Sequence, residues 1–509
     1  MNCRFLGFRM ERRDVLKTCM ENGFFLDKSM LEFFCELERG KFLDVVLKLK
    51  ELGISEKILS KDVFGKYKDK IGYLGGSGEL MSEVKILRDI KGNSGKVEAG
   101  DFVSYFRARF EAIRDILIKK DLTNLSSIRR IGLDNGVFCV VGMVFSKRIT
   151  KNKNLLIEIE DLTGRTIVLV NRDNKELFDR AQGLLLDDVV GFKVSGSSKM
   201  LFANDFIYPD AGLEREVCGD KDEFVAFSGD FHVGSSKFLE GNLTKFVDWL
   251  NGDVGDLRQK SLARKVKYLV LSGDNIDGVG VYPGQEKSLK IKGCRGQYEK
   301  LAEILGRIRK DIEIVMCPGQ HDAVWVGEPQ PAISEKWGGS LNKMENLRMV
   351  SNPSMVEVGG LKILVYYGGS LNKFIDEIGG FRAKYGHRVP TRVVEEILKR
   401  RHLAPVYGGM DIIPNKVGDD LVLGDLPDVF VVGGQHRAMV NSYNNILIVS
   451  SSCWQSRTDF EALGGHDSGE PDKVGSGPDH CKVPILNLKS REIKILDFSD
   501  DVVELEEGK

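Results

Sequence analysis

Between residues 222 and 450 the chain repeats one design: a short apolar run, then glycine, then aspartate or histidine. The runs cover 225–227, 268–271, 312–316, 363–366, 429–432 and 446–449, and stretches of helical periodicity such as 297–309 lie between them. Short runs without polar alternation suit strands covered on both faces. Strands alternating with helices predict an α/β sandwich, in which ligands gather beyond the carboxyl ends of the strands. The first such end reads Ser228-Gly229-Asp230-Phe231-His232, the second Ser272-Gly273-Asp274-Asn275-Ile276-Asp277, and the third Pro318-Gly319-Gln320-His321-Asp322. The fourth reads Tyr367-Gly368-Gly369 and the fifth Gly434-Gln435-His436-Arg437. One Gly-Asp pair alone is ordinarily a turn. Asp or His beside glycine at four of five successive ends points to shared chemistry.

The rest of the chain bounds what surrounds this region. At 509 residues it should hold two to four domains. Charged residues make up 29% of it, yet the net charge is −1, so any nucleic-acid surface must be a local patch. Nine cysteines lie scattered without a C-x-x-C pair, which fits a reducing compartment and argues against a disulfide framework or zinc knuckle. No apolar run reaches the ~20 residues of a membrane span, and the start, MNCRFLGFRMERR, is too short and charged for a signal peptide. The expectation is a soluble cytoplasmic protein with no membrane partner.

Residues 10 to 70 read as short amphipathic helices, with Gly53 after KFLDVVLKLKEL as a C-cap. Gly75-Gly76-Ser77-Gly78 breaks the pattern, and 76–100 reads as a linker. The segment 101–120 is a periodic helix with Asp101 as N-cap. From 131 the period becomes two. Residues 136–170 predict three strands, the second and third joined by the turn Asp161-Leu162-Thr163-Gly164. Five or so strands before 208 suit a small barrel such as an OB-fold, with Phe138, Phe145 and Phe192 in its core. The divisions are 1–75, a helical N-terminal domain; 76–130, linker and helix; 131–215, the barrel; and 222–500, the sandwich. Residues 468–480 read as a low-complexity loop.

In this order the strand ends resemble the calcineurin-like metallophosphoesterases, whose pattern is D-x-H, G-D-x-x-D, G-N-H-[DE], a lone His, and G-H-x-H. VYPGQE (281–286), GEPQPA (327–332), LKRRHLAPVYGG (398–409), SSSCWQSRTDFE (450–461), DFVSYFRARF (101–110) and IEDLTG (159–164) narrow the resemblance to the small subunit of the archaeal D-family DNA polymerase. That resemblance covers nearly the whole chain from about residue 10. It implies a multidomain α+β protein: helical N-terminal domain, OB-fold, and α/β/β/α phosphoesterase sandwich. It implies a 3′→5′ exonuclease using two Mn2+ or Mg2+ ions, bound by a bridging carboxylate, imidazoles and an amide oxygen. The implied partners are DNA and a large catalytic subunit, in a heterodimer or higher assembly.

Carried over, the resemblance makes Asp230, His232 and Asp274 metal ligands, Asp274 bridging, and places His321 toward the scissile phosphate with Asp322 following. Gln320 stands where the motif has Asn. Tyr367 replaces the lone His, and a phenol is a poor ligand for these ions. Gln435 and Arg437 are read onto the two histidines of G-H-x-H, with His436 between them and pointing elsewhere. A guanidinium there opposes a cation and can take its place beside Asp230 and Asp274. The site then reads as degenerate, and the chain as an accessory subunit, with metal only if the site is active. The alternatives are an active exonuclease on a remodelled centre and an unrelated small-molecule phosphoesterase. The bland reading of Asp230 and His232 is a hydrogen-bonded core pair; His387, His402, His466 and His480 read as surface or structural. The loop SKRITKNKN (146–154), with Lys147, Arg148, Lys151 and Lys153, is either a DNA contact or a solvated tip. EEILKRRH (395–402) either docks phosphate or complements a helix dipole.

Overall fold

A computed structural model describes residues 12–36, 39–52, 58–60, 63–64, 84–90, 97–213, 216–385, 389–457, 479–499 and 504–507. Gly53, His387, His466 and most of the 468–480 loop fall outside these residues. The chain forms two compact units, 1–82 and 83–509.

In the first unit, helices Arg12–Glu21, Lys28–Glu36 and Arg39–Glu51 accompany a two-residue parallel pairing of Phe25–Leu26 with Ile58–Leu59. Helical spacing puts Val15 and Cys19 on one face of the first helix and Phe42, Val45, Val46 and Leu49 on one face of the third. They close on Phe34, whose ring meets Phe42 edge-on at 5.3 Å.

In the second unit, residues 85–88, read from sequence as linker, instead form the strand Lys85–Arg88, which pairs antiparallel with Ser354–Val358. The helix that follows runs Ala99–Ile118. Its N-cap is Glu98; Asp101 is the third helical residue and receives the Glu98 amide at 2.7 Å, one half of a capping box. The helix buries Tyr105, Arg109, Phe110, Ile113 and Leu117. Arg109 donates to Asp419 at 2.7 Å, and His402 holds the same carboxylate at 2.8 Å.

Strands Gly136–Ile149, Leu155–Asp161, Gly164–Val170, Val189–Ser197 and Met200–Ile207 close a five-stranded barrel in which the fifth strand lies between the third and the fourth. The turn after the second strand forms because Asp161 Oδ1 accepts from the Thr163 and Gly164 amides. Phe192 and Phe206 fill the barrel, but Phe145 is 45% exposed, with the Arg165 guanidinium 3.6 Å from its ring centre. The first strand also extends into the basic segment, so Lys147 is not at a loop tip. Its ammonium donates to the carbonyls of Gln182 and Leu184, and burial lowers its pKa.

The apolar runs become strands of two sheets. One orders Leu347–Met349, Glu313–Met316, Val266–Leu271, Phe224–Ser228, Lys482–Asn487, Ile493–Asp497 and Glu504–Glu507. The other orders Met439–Tyr443, Ile446–Ser450, Val429–Val432, Leu361–Tyr366, Ser354–Val358 and Lys85–Arg88. Alternate residues of each central strand serve different cores. Val225, Phe227, Tyr268 and Val270 meet Ile363, Val365, Val429 and Val431 between the sheets. Phe224, Ala226, Leu269 and Leu271 face helices Glu240–Asn251 and Cys294–Gly306, while Leu364, Tyr366, Phe430 and Val432 face helix Pro390–Arg400. The absence of polar alternation in the runs follows from this double burial.

The basic end of Pro390–Arg400 holds protein, not phosphate. Arg400 is buried and donates to Asp188 at 3.2 Å and to the Gly183 carbonyl at 2.7 Å, both from the barrel region, while Arg401 donates to the Gly424 carbonyl at 2.8 Å. Removing one partner of such a pair leaves the other charge buried and unpaired. Arg400→Ala should therefore cost about 3–5 kcal/mol of stability, read as a fall in thermal midpoint. An unchanged midpoint would show that the barrel seats without this pair.

Candidate metal centre

All five loops that follow the parallel strands open at one end of the sandwich. Asp230 and His232 leave strand Phe224–Ser228, with Phe231 between them turned into the core against Trp454. The Asp230 amide donates to the Gly273 carbonyl at 2.9 Å and the His232 amide to the Asp274 carbonyl at 3.1 Å, so the first two loops are zipped together. Asp230, His232, Asp274 and His436 all have positive φ, between 47° and 52°. Such backbone costs of order 1–3 kcal/mol per residue. Four strained residues meeting at one point mark a place built for side-chain delivery. Gly319 lets the third loop approach: a Cβ there would lie 2.3 Å from Asp274 Oδ1.

The side chains form a buried, mostly anionic cluster. Asp230 receives the Gly434 amide on both oxygens, at 3.1 and 3.0 Å. Asp274 receives the His321 amide on Oδ1 at 2.8 Å and the Tyr367 hydroxyl on Oδ2 at 2.7 Å. Asp277, the last residue of G-D-x-x-D, accepts from His232 Nδ1 at 3.2 Å and from Gln455 at 3.0 Å. Among the described residues none of these three carboxylates is paired with Lys or Arg. Burial pushes Asp230 well up, the neighbouring Asp274 adds to it, and His436 opposes. Burial pushes His232 down, toward the neutral imidazole. Burial would raise Asp277, but the hydrogen bond from His232 holds it below its ordinary value. Burial and the adjacent carboxylates hold Tyr367 far above the usual phenol range, so it remains a neutral donor. Burial would also raise the Cys453 thiol, yet His436 and His480 bring it down to about 7.

The arrangement has a position for a cation. With the His232 Nδ1 proton directed at Asp277, its Nε2 carries a lone pair, and this nitrogen lies 3.3 Å from His436 Nε2. The two nitrogens share a hydrogen bond when His436 Nε2 holds the proton, and both can face a divalent ion when His436 carries its proton on Nδ1. Asp230, His232 and His436 each offer an atom within 4.8 Å of the others, and Asp274 Oδ2 stands 3.9 Å from His232 Nε2. Two imidazoles and two carboxylates suit Mn2+ and related divalent ions. His232, Asp277 and His321 also converge, but there His232 Nδ1 is engaged with Asp277, and His321 Nδ1 donates to the Asp277 carbonyl at 2.7 Å.

This geometry corrects the reading of the fifth loop. His436 reaches the cluster, its Nε2 lying 3.7 Å from Asp230 Oδ1. Arg437 turns away and meets Asp479 at 3.4 Å, so it neutralises neither Asp230 nor Asp274, and neither it nor Gln435 lines the site cavity of about 760 Å³. The strand ends at Val432, and Gly434, at φ 69°, redirects the chain, so strand alternation does not extend to 435–437. Gln320, His321 and Tyr367 do line that cavity. Asp322 instead braces the loops, accepting from the Gly319 amide at 2.9 Å and Tyr298 at 2.9 Å. Sequence reasoning also passed over Glu328, which accepts from Tyr366 at 2.6 Å and through Asn352 steadies the Tyr367 amide. Its one signal was a lone acid in GEPQPA.

The second unit thus combines a two-sheet sandwich, a His–Asp cluster at its strand ends and a closed barrel. The family of DNA polymerase alpha/epsilon B-subunits matches residues 225–441. The DNA polymerase II small subunit of Methanothermobacter thermautotrophicus is 34% identical over 90% of this chain and 93% of its own length. That of Archaeoglobus fulgidus is 37% identical over 74% and 75%. A solved Vacuolar Protein Sorting 29 from Cryptosporidium parvum aligns over 57% of this chain and 97% of its own at 13% identity, with a TM-score of 0.27, too low to carry an argument. The chain belongs to the family of archaeal DNA polymerase II small subunits, the accessory subunits of the D-family enzyme.

Glu328 yields a pH prediction. Burial pushes it from its ordinary 4.5 up to about 7. Below the lower value the carboxyl is protonated folded or unfolded. Between the two values only the folded chain keeps the proton, so native stability falls as pH rises, and above the upper value the loss is complete. The span corresponds to roughly 3 kcal/mol at most. Glu328→Gln lacks this slope, so its melting temperature should gain on the parent's as pH rises from about 5 to 8. A constant difference across that range would show that Glu328 folds ionised.

Proposed function

We propose that this chain acts in DNA replication as the small, accessory subunit of an archaeal DNA polymerase, binding DNA and holding a large catalytic subunit in a heterodimer or higher assembly. The observation that carries this reading is the similarity to a polymerase small subunit over 90% of this chain and 93% of the relative. The domain reading is a helical region over 1–75, a connection over 76–130 that contributes one strand to the sandwich, an OB-fold over 131–215 and a phosphoesterase sandwich over 222–500. The closed five-stranded barrel supports the OB-fold. Lys151 and Lys153 at its hairpin tip and Arg148 on the strand beside it are exposed and suit phosphate contact; Lys147 is withdrawn from that role by its carbonyl partners.

In this reading the phosphoesterase site is degenerate: Tyr367 and Gln320 stand where the family's motif has His and Asn, and the chain's own nuclease is weak or absent. His436 favours a second reading, an active 3′→5′ exonuclease, because it completes a ligand set at Asp230, His232 and Asp274. A bound Mn2+ or Mg2+ would act there as a Lewis acid toward a phosphodiester. His321, on the cavity wall with Nδ1 fixed by the Asp277 carbonyl, presents Nε2 to a bound phosphate.

Coexpressed with the large subunit, the chain should elute as one stoichiometric complex; elution apart at micromolar concentration would overturn the assembly role. Arg148→Ala, Lys151→Ala and Lys153→Ala together should weaken single-stranded DNA binding and flatten its salt dependence, by up to about 0.7 per lost contact in the log–log slope. An unchanged slope would leave these residues as a solvated tip. Purified alone with Mn2+, the chain should degrade single-stranded DNA no faster than Asp274→Asn; digestion abolished by that substitution would establish the nuclease.

A further inference from the structure

We propose that the strand-end site holds a single divalent cation, on Asp230, His232, Asp274 and His436, and that Tyr367 permanently occupies the place of a second. The inference rests on the geometry of the site and not on the chain's role in a polymerase.

A second ion must share the Asp274 carboxylate with the first and find ligands on its far side. That side is filled. The Tyr367 hydroxyl donates to Asp274 Oδ2 at 2.7 Å and the His321 amide to Oδ1 at 2.8 Å, so each oxygen already has a donor from the third or fourth loop. Tyr367 is buried, 6% exposed, and its ring packs over Gly434. A Cβ at residue 434 would come within 3.0 Å of Tyr367 Cε2 and Cζ. A side chain at 434 would therefore crowd the ring, which would have to give by a few tenths of an ångström. With His436 in the site, G-H-x-H falls on Gly433-Gly434-Gln435-His436, so Gly434 stands where that motif has its first His and the Tyr367 ring packs beside it. The ring is also held from behind, since the Tyr367 amide donates to Asn352 Oδ1 at 2.8 Å, and Asn352 is fixed by Gln330 at 2.7 Å. The phenol spends its proton on Asp274 Oδ2 and offers a poor lone pair to a hard cation. It thereby satisfies the Asp274 oxygen that a second ion would otherwise have neutralised.

The candidate ligands of the first cation lie on the other side of Asp274 Oδ2's hydrogen bond network, at His232 and His436. His232 Nε2 and His436 Nε2 face each other, Asp277 orients the His232 ring, and Asp230 and Asp274 supply the negative charge. Asp277 is a positioning residue here, because its oxygens are taken by His232, Gln455 and Gln285.

Mn2+ binding to the full chain, followed by calorimetry and by electron paramagnetic resonance, tests this. One ion per chain is expected, with the hyperfine pattern of an isolated ion, and with binding lost in His436→Ala. Asp277→Asn should weaken it about 10–100-fold without changing the count. Tyr367→Phe should still bind one ion. Tyr367→His combined with Gly434→His, its folding verified by thermal melting, should bind two and show the spectrum of an exchange-coupled pair. Two coupled ions in the parent chain would overturn the proposal, as would none at millimolar Mn2+ or a folded double variant that still binds one. Should the double variant not fold, the counts in the parent and in Tyr367→Phe decide the matter. The polymerase role is read separately, from coelution with the large subunit, which none of these counts affects.

Discussion

The strand ends of this protein place Asp230, Asp274 and Asp277 within one buried cluster and give it no ammonium or guanidinium partner among the described residues. Isolated buried carboxylates are costly and must be met by hydrogen bonds, protons or a cation. Each loop of the site supplies part of the answer. Gly434 and His321 give backbone amides, Tyr367 a hydroxyl, and His232 a ring proton directed at Asp277. His232 Nε2 and His436 Nε2 meet each other beside Asp230. The positive φ values of Asp230, His232, Asp274 and His436 become intelligible as the backbone cost of aiming four side chains at that point.

Much of this was legible in the sequence, because double burial writes itself as unbroken apolar runs. Each run from 225–227 to 446–449 became a strand, and the glycines after them marked where the loops turn back over the site. Asp230, His232, Asp274 and His321 meet as their spacing suggested. The errors share a cause: a period holds only inside the element that generates it. Alternation extended five residues past Val432 assigned Arg437 to the site and His436 away from it, whereas the loop after Gly434 does the opposite. Lys85–Arg88 has a burial pattern that is exposed for three of its four residues, and its partner strand lies more than 250 residues onward, so no local pattern could announce it. Lys147 looked like its basic neighbours; only the carbonyls of Gln182 and Leu184, brought near by the barrel's closure, distinguish it.

The same cluster joins the two sheets where they would otherwise splay. Asp230, His232 and Asp274 extend from the sheet built on Phe224–Ser228, while Tyr367 and His436 extend from the sheet built on Leu361–Tyr366 and Val429–Val432. The Tyr367–Asp274 hydrogen bond and the Gly434–Asp230 contact therefore cross the interface between the sheets. A pair of metal ions ligated from both sheets would make the same link. The Tyr367 phenol makes this bridge through a hydrogen bond. With the barrel seated through Arg400 on Asp188, and the helix Ala99–Ile118 fixed through Arg109 on Asp419, the sandwich does not need a working second ion to remain one rigid body. Rigidity is what an accessory subunit that holds a larger partner requires.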